Sequence, residues 1–190
     1  MIYLASQSPR RQELLRQIGI EFELVHADID ETPRKNEGPQ HYVERMAAEK
    51  ALNAFRMDMS KPLLAADTSV ICDDRILGKP QNEQDFLAMF ERLSDNVHQV
   101  ITAVAVTDTK EAAAIKTRLS VSEVIFRKIT RNEALRYWQS GEPADKAGGY
   151  GIQGTGAIFI KKISGSYSGI MGLPLFETAE LLKEFEILSL

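Results

Sequence analysis

The chain lacks most of the features that mark secreted or membrane-bound proteins. Cys72 is the only cysteine among 190 residues, so no intrachain disulfide can form and a reducing compartment is expected. No apolar run is long enough to span a membrane, and the first residues lack the charged region and apolar stretch of a signal peptide. We therefore expect a cytoplasmic protein with no membrane partner.

An excess of positive charge is missing as well. The formal net charge is −4, which gives no general electrostatic reason to expect a nucleic acid or an anionic membrane as a partner. No long-period repeat, low-complexity tract or long linker divides the chain. A length of 190 residues suits one domain and can bury a sizeable core. We expect a single domain, 1–190, made of two lobes.

Several well-known catalytic motifs are also absent. The sequence contains no Walker A motif, no H-E-x-x-H and no Cys/His zinc spacing, and its three histidines form no recognisable triad. Residues 149–154 do match G-x-G-x-x-G, but a polar loop precedes them and an apolar strand follows, the reverse of the dinucleotide-binding context. A kinase is excluded because H-R-D and D-F-G are missing. The glycines still allow a ligand to approach the backbone closely.

The hydrophobic pattern predicts an α/β fold with a mixed, twisted sheet and a cleft. The predicted strands cover 2–5, 22–26, 62–72, 75–77, 98–107, 112–127 and 157–163. The predicted helices cover 9–18, 40–57, 82–93, 130–139 and 174–185.

Two arginines in the first turn of helix 9–18 are unusual, because a helix N-terminus already carries partial positive charge. A negative group should compensate Arg10 and Arg11. The free N–H groups of this turn, the two guanidinium groups and the hydroxyls of Ser6 and Ser8 suit a phosphate chain. The alternative is a pair of solvated arginines on an exposed turn.

Three further charged residues occupy places that need an explanation. Asp67 lies within the apolar strand 62–72, where a carboxylate needs an ion partner, a metal or a proton, unless it only caps a turn. Lys50 projects from the apolar stripe of helix 40–57 and must reach either solvent or a buried anion. Lys79 is another candidate anion ligand, although a loop lysine is more often solvated.

Acidic residues gather just after the second strand, at Asp28, Asp30 and Glu31. Carboxylate oxygens are the ligands that Mg²⁺ or Mn²⁺ prefers, although such a cluster is often only a polar loop. The loop 28–39 is the most polar connection and is predicted to be mobile. In the glycine-rich loop, Gln153 is placed to read the edge of a base.

Taken together, these segments resemble the Maf family of nucleoside triphosphate pyrophosphatases. The matching segments, in chain order, are L-A-S-Q-S-P-R-R at 4–11, E-K-A at 49–51, A-D-T at 66–68, G-K-P at 78–80, D-K-A-G-G-Y-G-I-Q-G at 145–154 and G-L-P-L at 172–175. The resemblance implies an α/β fold split into two lobes around a deep nucleotide-binding cleft. It also implies hydrolysis of a nucleoside triphosphate to the monophosphate and pyrophosphate with Mg²⁺ or Mn²⁺.

The resemblance also suggests roles for particular residues. Asp67 matches the family's proton acceptor and would share the metal with Glu31, while Lys50 and Lys79 would neutralise the phosphates during catalysis. Substrate binding would fall to Ser6, Ser8, Arg10, Arg11, Thr68 and Gln153. Among these, Thr68 and Gln153 fit the subgroup that acts on dTTP and UTP, and Arg10 matches a position linked to substrate choice.

Two other functions stay open at this point. The same cleft would serve a non-catalytic nucleotide-binding regulator, for instance of cell division. A house-cleaning enzyme for damaged purine nucleotides such as ITP would also use it. A homodimer is expected from the resemblance alone.

Overall fold

A mixed seven-stranded sheet forms the centre of the protein, in a computed structural model that describes residues 1–55, 59–107 and 114–188. Its strands are β1 (Ile2–Ala5), β2 (Phe22–Leu24), β3 (Leu63–Cys72), β4 (Arg75–Leu77), β5 (Val97–Thr107), β6 (Ile115–Phe126) and β7 (Ile160–Ser164). They are ordered β2-β1-β3-β5-β6-β7, with β4 paired to β3 beside this path. Pairs β1–β2 and β1–β3 are parallel and the others antiparallel, so the predicted α/β class with a mixed sheet is confirmed.

Six α-helices cover the sheet within the described residues. They are α1 (Pro9–Gln17), α2 (Pro39–Ala54), α3 (Glu83–Leu93), α4 (Arg131–Gln139), α5 (Tyr167–Met171) and α6 (Leu175–Glu184). None of the helices in the described part of the chain has the length and apolarity needed to cross a membrane.

The helices divide between the two faces of the sheet according to the alternation of side chains along β3. Odd-numbered residues such as Leu63 and Ala65 pack against α2. Even-numbered residues face the other helices. Leu64 lies in a cluster with α1 and α6, whereas Val70 lies in a separate cluster with α3 and α4. Neighbouring residues in the middle of β3 therefore face different surroundings. The single domain of two lobes stays a prediction.

One edge of β3 changes its partner half-way along the strand. Parallel β1 pairs with β3 as far as Ala65, and β4 takes up the pairing only at Val70. Among the described residues, no strand pairs with 66–69 on that edge, although β5 follows β3 along the other edge. A gap between two neighbouring strands opens a crevice in the sheet, and Asp67 and Thr68 lie in this one.

Several boundaries differ from the sequence prediction. β2 ends at Leu24, and Ala157–Phe159 form part of a 3₁₀ turn (Thr155–Phe159) rather than the start of β7. Ile158 is 60% exposed, so this apolar run does not lie on one buried face. The predicted C-terminal end of helix 40–57 and the predicted start of strand 112–127 fall on residues outside the described ranges.

Helix α5 is an element that the pattern missed. It spans only Tyr167–Met171 and contains Gly169, a poor helix former. The Ser166 side chain caps it by accepting from the Gly169 N–H at 3.0 Å. A turn of this length leaves no periodic signal, so only the folded chain shows it.

Candidate active site

The crevice beside β3 continues into a cleft of about 880 Å³. Its walls come from the β1–α1 connection, α2, β3, the loop after β4 and the glycine-rich segment 145–154. The cleft is lined by all ten residues to which the resemblance suggests a role: Ser6, Ser8, Arg10, Arg11, Glu31, Lys50, Asp67, Thr68, Lys79 and Gln153. Asp28 and Asp30, the other two members of the acidic cluster, do not line it. The fold brings them together from segments far apart in the sequence, while their individual roles stay predictions.

The floor of the cleft holds a lysine between two carboxylates. Lys50 Nζ lies 2.6 Å from Asp67 Oδ1 and 2.7 Å from Glu31 Oε1. The side chains of Lys50 and Asp67 are only 15% and 12% exposed, whereas that of Glu31 is 57% exposed. Lys50 thus reaches buried and half-exposed anions rather than solvent, which accounts for its place in the apolar stripe of α2.

Glu31 is held at this position by charge and by its backbone. Burial by itself would raise the pKa of Glu31, but the hydrogen bond and charge of Lys50, with the charges of Lys79 and Arg11, hold that pKa below its usual value. The Tyr42 hydroxyl donates to the Glu31 carbonyl oxygen at 2.8 Å. The carboxylate is therefore anionic at neutral pH and anchored to α2.

The rest of the loop 28–39 is also fastened to α2. Arg45 lies 2.6 Å from Glu37 and donates to the Thr32 carbonyl oxygen at 3.2 Å. Asp30 accepts from the Thr32 N–H at 2.9 Å. Hydrogen bonds from the side chain and the backbone of Thr32 lower the pKa of Asp30. Asp30 thus stabilises its own turn. The mobility of this loop stays a prediction.

Arg11 enters the cleft from α1 on the other side of β3. Its guanidinium donates from Nε to the Gly172 carbonyl oxygen at 2.7 Å, and from Nη1 and Nη2 to the hydroxyls of Ser6 and Thr68, each at 3.2 Å. Burial lowers the pKa of Arg11, while the charge of Asp67 opposes that shift. Neutral oxygens, rather than an ion pair, fix the orientation of this arginine within the described residues.

Behind Thr68 lies a second threonine that the sequence reasoning missed. Thr102 of β5 is paired with Thr68 in the sheet and is fully buried. Its Oγ1 lies 2.9 Å from Thr68 Oγ1 and 2.8 Å from the Gly169 carbonyl oxygen of α5. No sequence motif marks it, because its partners meet only when β3, β5 and α5 pack together.

The turn before α1 is shaped by Ser6 more than by Ser8. Ser6 Oγ accepts from the Ser8 N–H at 3.2 Å, in addition to Arg11. Ser8 stands at the N-cap position of α1, but its side chain makes no capping hydrogen bond, and Pro9 supplies the first helical residue. The Ser8 hydroxyl therefore remains available on the cleft wall.

Arg10 and Lys79 line the outer part of the cleft. Arg10 lies 3.9 Å from Asp145, a weak contact between side chains that are 32% and 67% exposed. Lys79 is exposed, and the Gly78 carbonyl before it accepts from the Gly148 N–H at 2.9 Å. This bond ties the lysine loop to the glycine-rich segment, where Gly148 has a φ of +66° that favours glycine.

Gln153 projects from a loop that is organised by Glu142, another residue missed by the sequence reasoning. The Glu142 carboxylate accepts from the Tyr137 hydroxyl at 2.7 Å and from the N–H groups of Thr155 and Gly156 at 2.8 and 3.1 Å. In the sequence, the polar run E-P-A-D-K just before the glycines is the signal that could have indicated Glu142. Gln153 itself is exposed on the cleft wall.

The donor set fits a hard divalent cation. Among the described residues, no group of three or more His, Cys, Asp or Glu side chains could hold a metal ion. Mg²⁺, however, is usually bound through one or two carboxylates, with the remaining ligands from water and substrate phosphates. Asp67 and Glu31 converge on one ammonium group, so the same two carboxylates are close enough to share a cation.

Comparison with known proteins decides the family. The family model for Maf-like protein matches residues 1–185. The chain belongs to the Maf family. It is 50% identical to the dTTP/UTP pyrophosphatase of Saccharophagus degradans, over 98% of this chain and 89% of that one. It is 49% identical to the dTTP/UTP pyrophosphatase of Pseudoalteromonas translucida, over 97% and 96%.

Proposed function

We propose that this Maf-family chain hydrolyses dTTP and UTP to the nucleoside monophosphate and pyrophosphate. The observation that carries the proposal is the ion cluster of Lys50, Asp67 and Glu31 at the floor of a cleft that is also lined by cations. Relatives about half identical over nearly the whole chain bear the name dTTP/UTP pyrophosphatase, which supports this pair of substrates.

The proposed reaction is an in-line attack of water on the α-phosphorus. A bond forms between the water oxygen and phosphorus, and the bond from phosphorus to the oxygen bridging to the β-phosphate breaks. Asp67 accepts the proton of the attacking water, and pyrophosphate leaves with the electron pair of the broken bond. Because such transfers depend on positioning and charge neutralisation, the buried, fixed carboxylate of Asp67 suits this role.

Cations of the chain neutralise the phosphates. Lys50 contacts Asp67, and Lys79 and Arg11 are near enough to Glu31 to lower its pKa. The positive charges of all three residues therefore act on the same part of the cleft. An arginine has five N–H donors, and three of those of Arg11 are engaged by protein oxygens, which leaves two for a phosphate. The turn of Ser6 and Ser8 adds N–H and hydroxyl donors.

A divalent metal, Mg²⁺ or Mn²⁺, would be held by Glu31 and Asp67. When bound there, it supplies positive charge next to the phosphates and lowers the pKa of a bound water. Lys50 would then turn from the carboxylates to a phosphate oxygen. Base recognition falls to Thr68 and Gln153, and Arg10 contributes to substrate choice.

The test is pyrophosphate release from a panel of nucleoside triphosphates with Mg²⁺ or Mn²⁺, with the Asp67→Asn variant beside the wild type. We expect turnover of dTTP and UTP by the wild type alone, with unchanged circular dichroism of the variant. Near-normal turnover by the variant would contradict the role of Asp67. Binding without any turnover would favour a regulator, and a preference for ITP would favour the purine house-cleaning function.

A further inference from the structure

The loop from Gly151 to Gly156 is fastened at both ends to one pair of side chains, Tyr137 and Glu142. At its start, the Gly151 N–H donates to the Tyr137 hydroxyl at 3.3 Å. At its end, the N–H groups of Thr155 and Gly156 donate to the Glu142 carboxylate at 2.8 and 3.1 Å. The Tyr137 hydroxyl itself donates to Glu142 at 2.7 Å, which joins the two ends of the loop through the pair.

The two oxygens of the Glu142 carboxylate divide these donors between them. Oε1 accepts from the Tyr137 hydroxyl and the Gly156 N–H, and Oε2 accepts from the Thr155 N–H. Burial by itself would raise the pKa of Glu142, but these hydrogen bonds hold that pKa below its usual value. A glutamine at this position could accept on one side only, because its NH₂ group would face N–H or O–H donors on the other.

Glycines let the loop backbone approach this pair closely. A Cβ at Gly154 would clash with the Glu142 carboxylate, and a Cβ at Gly156 would lie 2.6 Å from the Tyr137 hydroxyl oxygen. The backbone of Gly154 is extended, with φ −106° and ψ −158°, so the contact rather than the backbone conformation requires glycine there. The last glycine of the G-x-G-x-x-G match thus serves the packing of the loop on Glu142.

Gln153 lies between the two fastened ends of the loop, two residues after Gly151 and two before Thr155. It is exposed on the cleft wall, so its amide can meet a ligand in the cleft. A loop that is held at both ends loses less conformational entropy on binding than a free loop does. The hydrogen bonds of Tyr137 and Glu142 therefore determine where the loop presents Gln153.

We propose that Tyr137 and Glu142 are positioning residues, which hold the loop so that Gln153 meets the base of the nucleotide. The inference rests on the proposed function for its ligand. The pair acts on binding of the base and not on the attack of water at the α-phosphorus. Its loss should therefore raise KM without a matching fall in kcat.

The central experiment measures kcat and KM for UTP in Glu142→Gln, which keeps the shape of the side chain. We expect KM to rise about tenfold, the effect of one lost hydrogen bond, and kcat to change by less than about threefold. Wild-type values of both constants, or a fall in kcat as large as the rise in KM, would overturn the proposal.

Glu133→Gln is the matched control. Glu133 lies on α4, as Tyr137 does, and its carboxylate also accepts three hydrogen bonds, from Arg127 and from the N–H and hydroxyl of Thr130. It lies outside the cleft. The control should keep the wild-type kcat and KM, and a rise in KM equal to that of Glu142→Gln would show that any such loss of hydrogen bonds has this effect.

A double-mutant cycle with Gln153→Ala separates positioning from a general loosening of the fold. If the pair acts through Gln153, Glu142→Gln should raise KM no further in a chain that already carries Gln153→Ala. Tyr137→Phe keeps the ring packed beside Phe90 and Phe159 and should show the same dependence on Gln153. Effects that multiply in the double variants, or a wild-type KM in Gln153→Ala, would overturn the proposal.

Equilibrium binding of UMP, measured by calorimetry, separates this inference from the proposed function. A wild type that releases no pyrophosphate but binds UMP, and whose affinity Glu142→Gln lowers only when Gln153 is present, contradicts the proposed function and supports the positioning role. Turnover of UTP together with equal affinity for UMP in Glu142→Gln and wild type supports the function and contradicts the positioning role.

Discussion

Polar side chains in the apolar strand β3 are stabilised in different ways on its two faces. Asp67 points towards α2 and is neutralised by Lys50, which is shared with the half-exposed Glu31. Thr68, the next residue, points towards α1 and α5, and its hydroxyl oxygen accepts from Arg11 at 3.2 Å and from Thr102 at 2.9 Å. We expect the charged face to exchange its partners when phosphates and a cation bind, whereas the hydroxyl face is held by hydrogen bonds within the protein. Chemistry suits the first face and selectivity the second.

The largest expected effect comes from substituting two adjacent residues of β3, one on each face. Asp67→Asn should lower kcat for every nucleotide by roughly 10²- to 10⁴-fold, because it removes the proton acceptor. Thr68→Val should instead change the ratio of kcat/KM between UTP and CTP, since it removes the hydroxyl that we propose contacts the base. Steady-state kinetics on both nucleotides measures both effects. Equal loss of kcat in the two variants would contradict the division of roles.

The second prediction concerns stability on the charged face. Lys50→Met leaves the Asp67 carboxylate buried without its partner and should lower the free energy of unfolding by about 3 kcal/mol, as measured by urea denaturation. The control is Lys61→Met, which breaks an ion pair with Glu23 at 2.7 Å between more exposed side chains and should cost less than about 1 kcal/mol. The comparison fails if the two variants are equally stable.

A pH titration tests the neutral character of the other face. Burial lowers the pKa of His98 from 6.5 to about 4, and its Nε2 lies 2.7 Å from the Tyr150 hydroxyl. The unfolded chain binds this proton first, so the stability that neutral His98 contributes is complete above about pH 6.5 and is lost as the pH falls towards 4.

Unfolding free energies measured between pH 7 and pH 4 should show a smaller loss in His98→Gln than in the wild type. His41→Gln, at an exposed position of α2, reports the general effect of removing one histidine. An identical pH dependence of stability in wild type and His98→Gln would show that burial does not lower the pKa of His98.

The smallest expected effect is at Ser8, on the hydroxyl side of the cleft. Its side chain makes no capping bond, so Ser8→Ala should change the free energy of unfolding by less than about 0.5 kcal/mol while raising KM for the nucleotide. Thr130→Ala is the contrast, because it breaks a complete capping box and should cost about 1 kcal/mol. A large loss of stability in Ser8→Ala would argue for a structural role instead.

Local signals in the sequence located much of the fold. The apolar strand β3, the short strand β4 that follows it, and helix α4 appear within a residue of where the pattern predicts them, at 62–72, 75–77 and 130–139. The pattern failed at α5 and at Ala157–Phe159, where elements are too short for periodicity and the contacts that define them come from distant residues. Candidate site residues were found where a charge conflicted with its surroundings, as at Lys50 and Asp67.

The sequence by itself determined the apolar run that buries both faces of β3, the mismatch of Lys50 and Asp67 with their apolar surroundings, and the order of motifs that marks the Maf family. Only the tertiary structure decided that β1 leaves β3 at Ala65, which opens the crevice beside Asp67. Only the tertiary structure brought Thr102 and Gly169 behind Thr68. The physical reason is that periodicity records which side of an element is buried, whereas hydrogen-bond partners across a sheet depend on register and on the packing of distant segments.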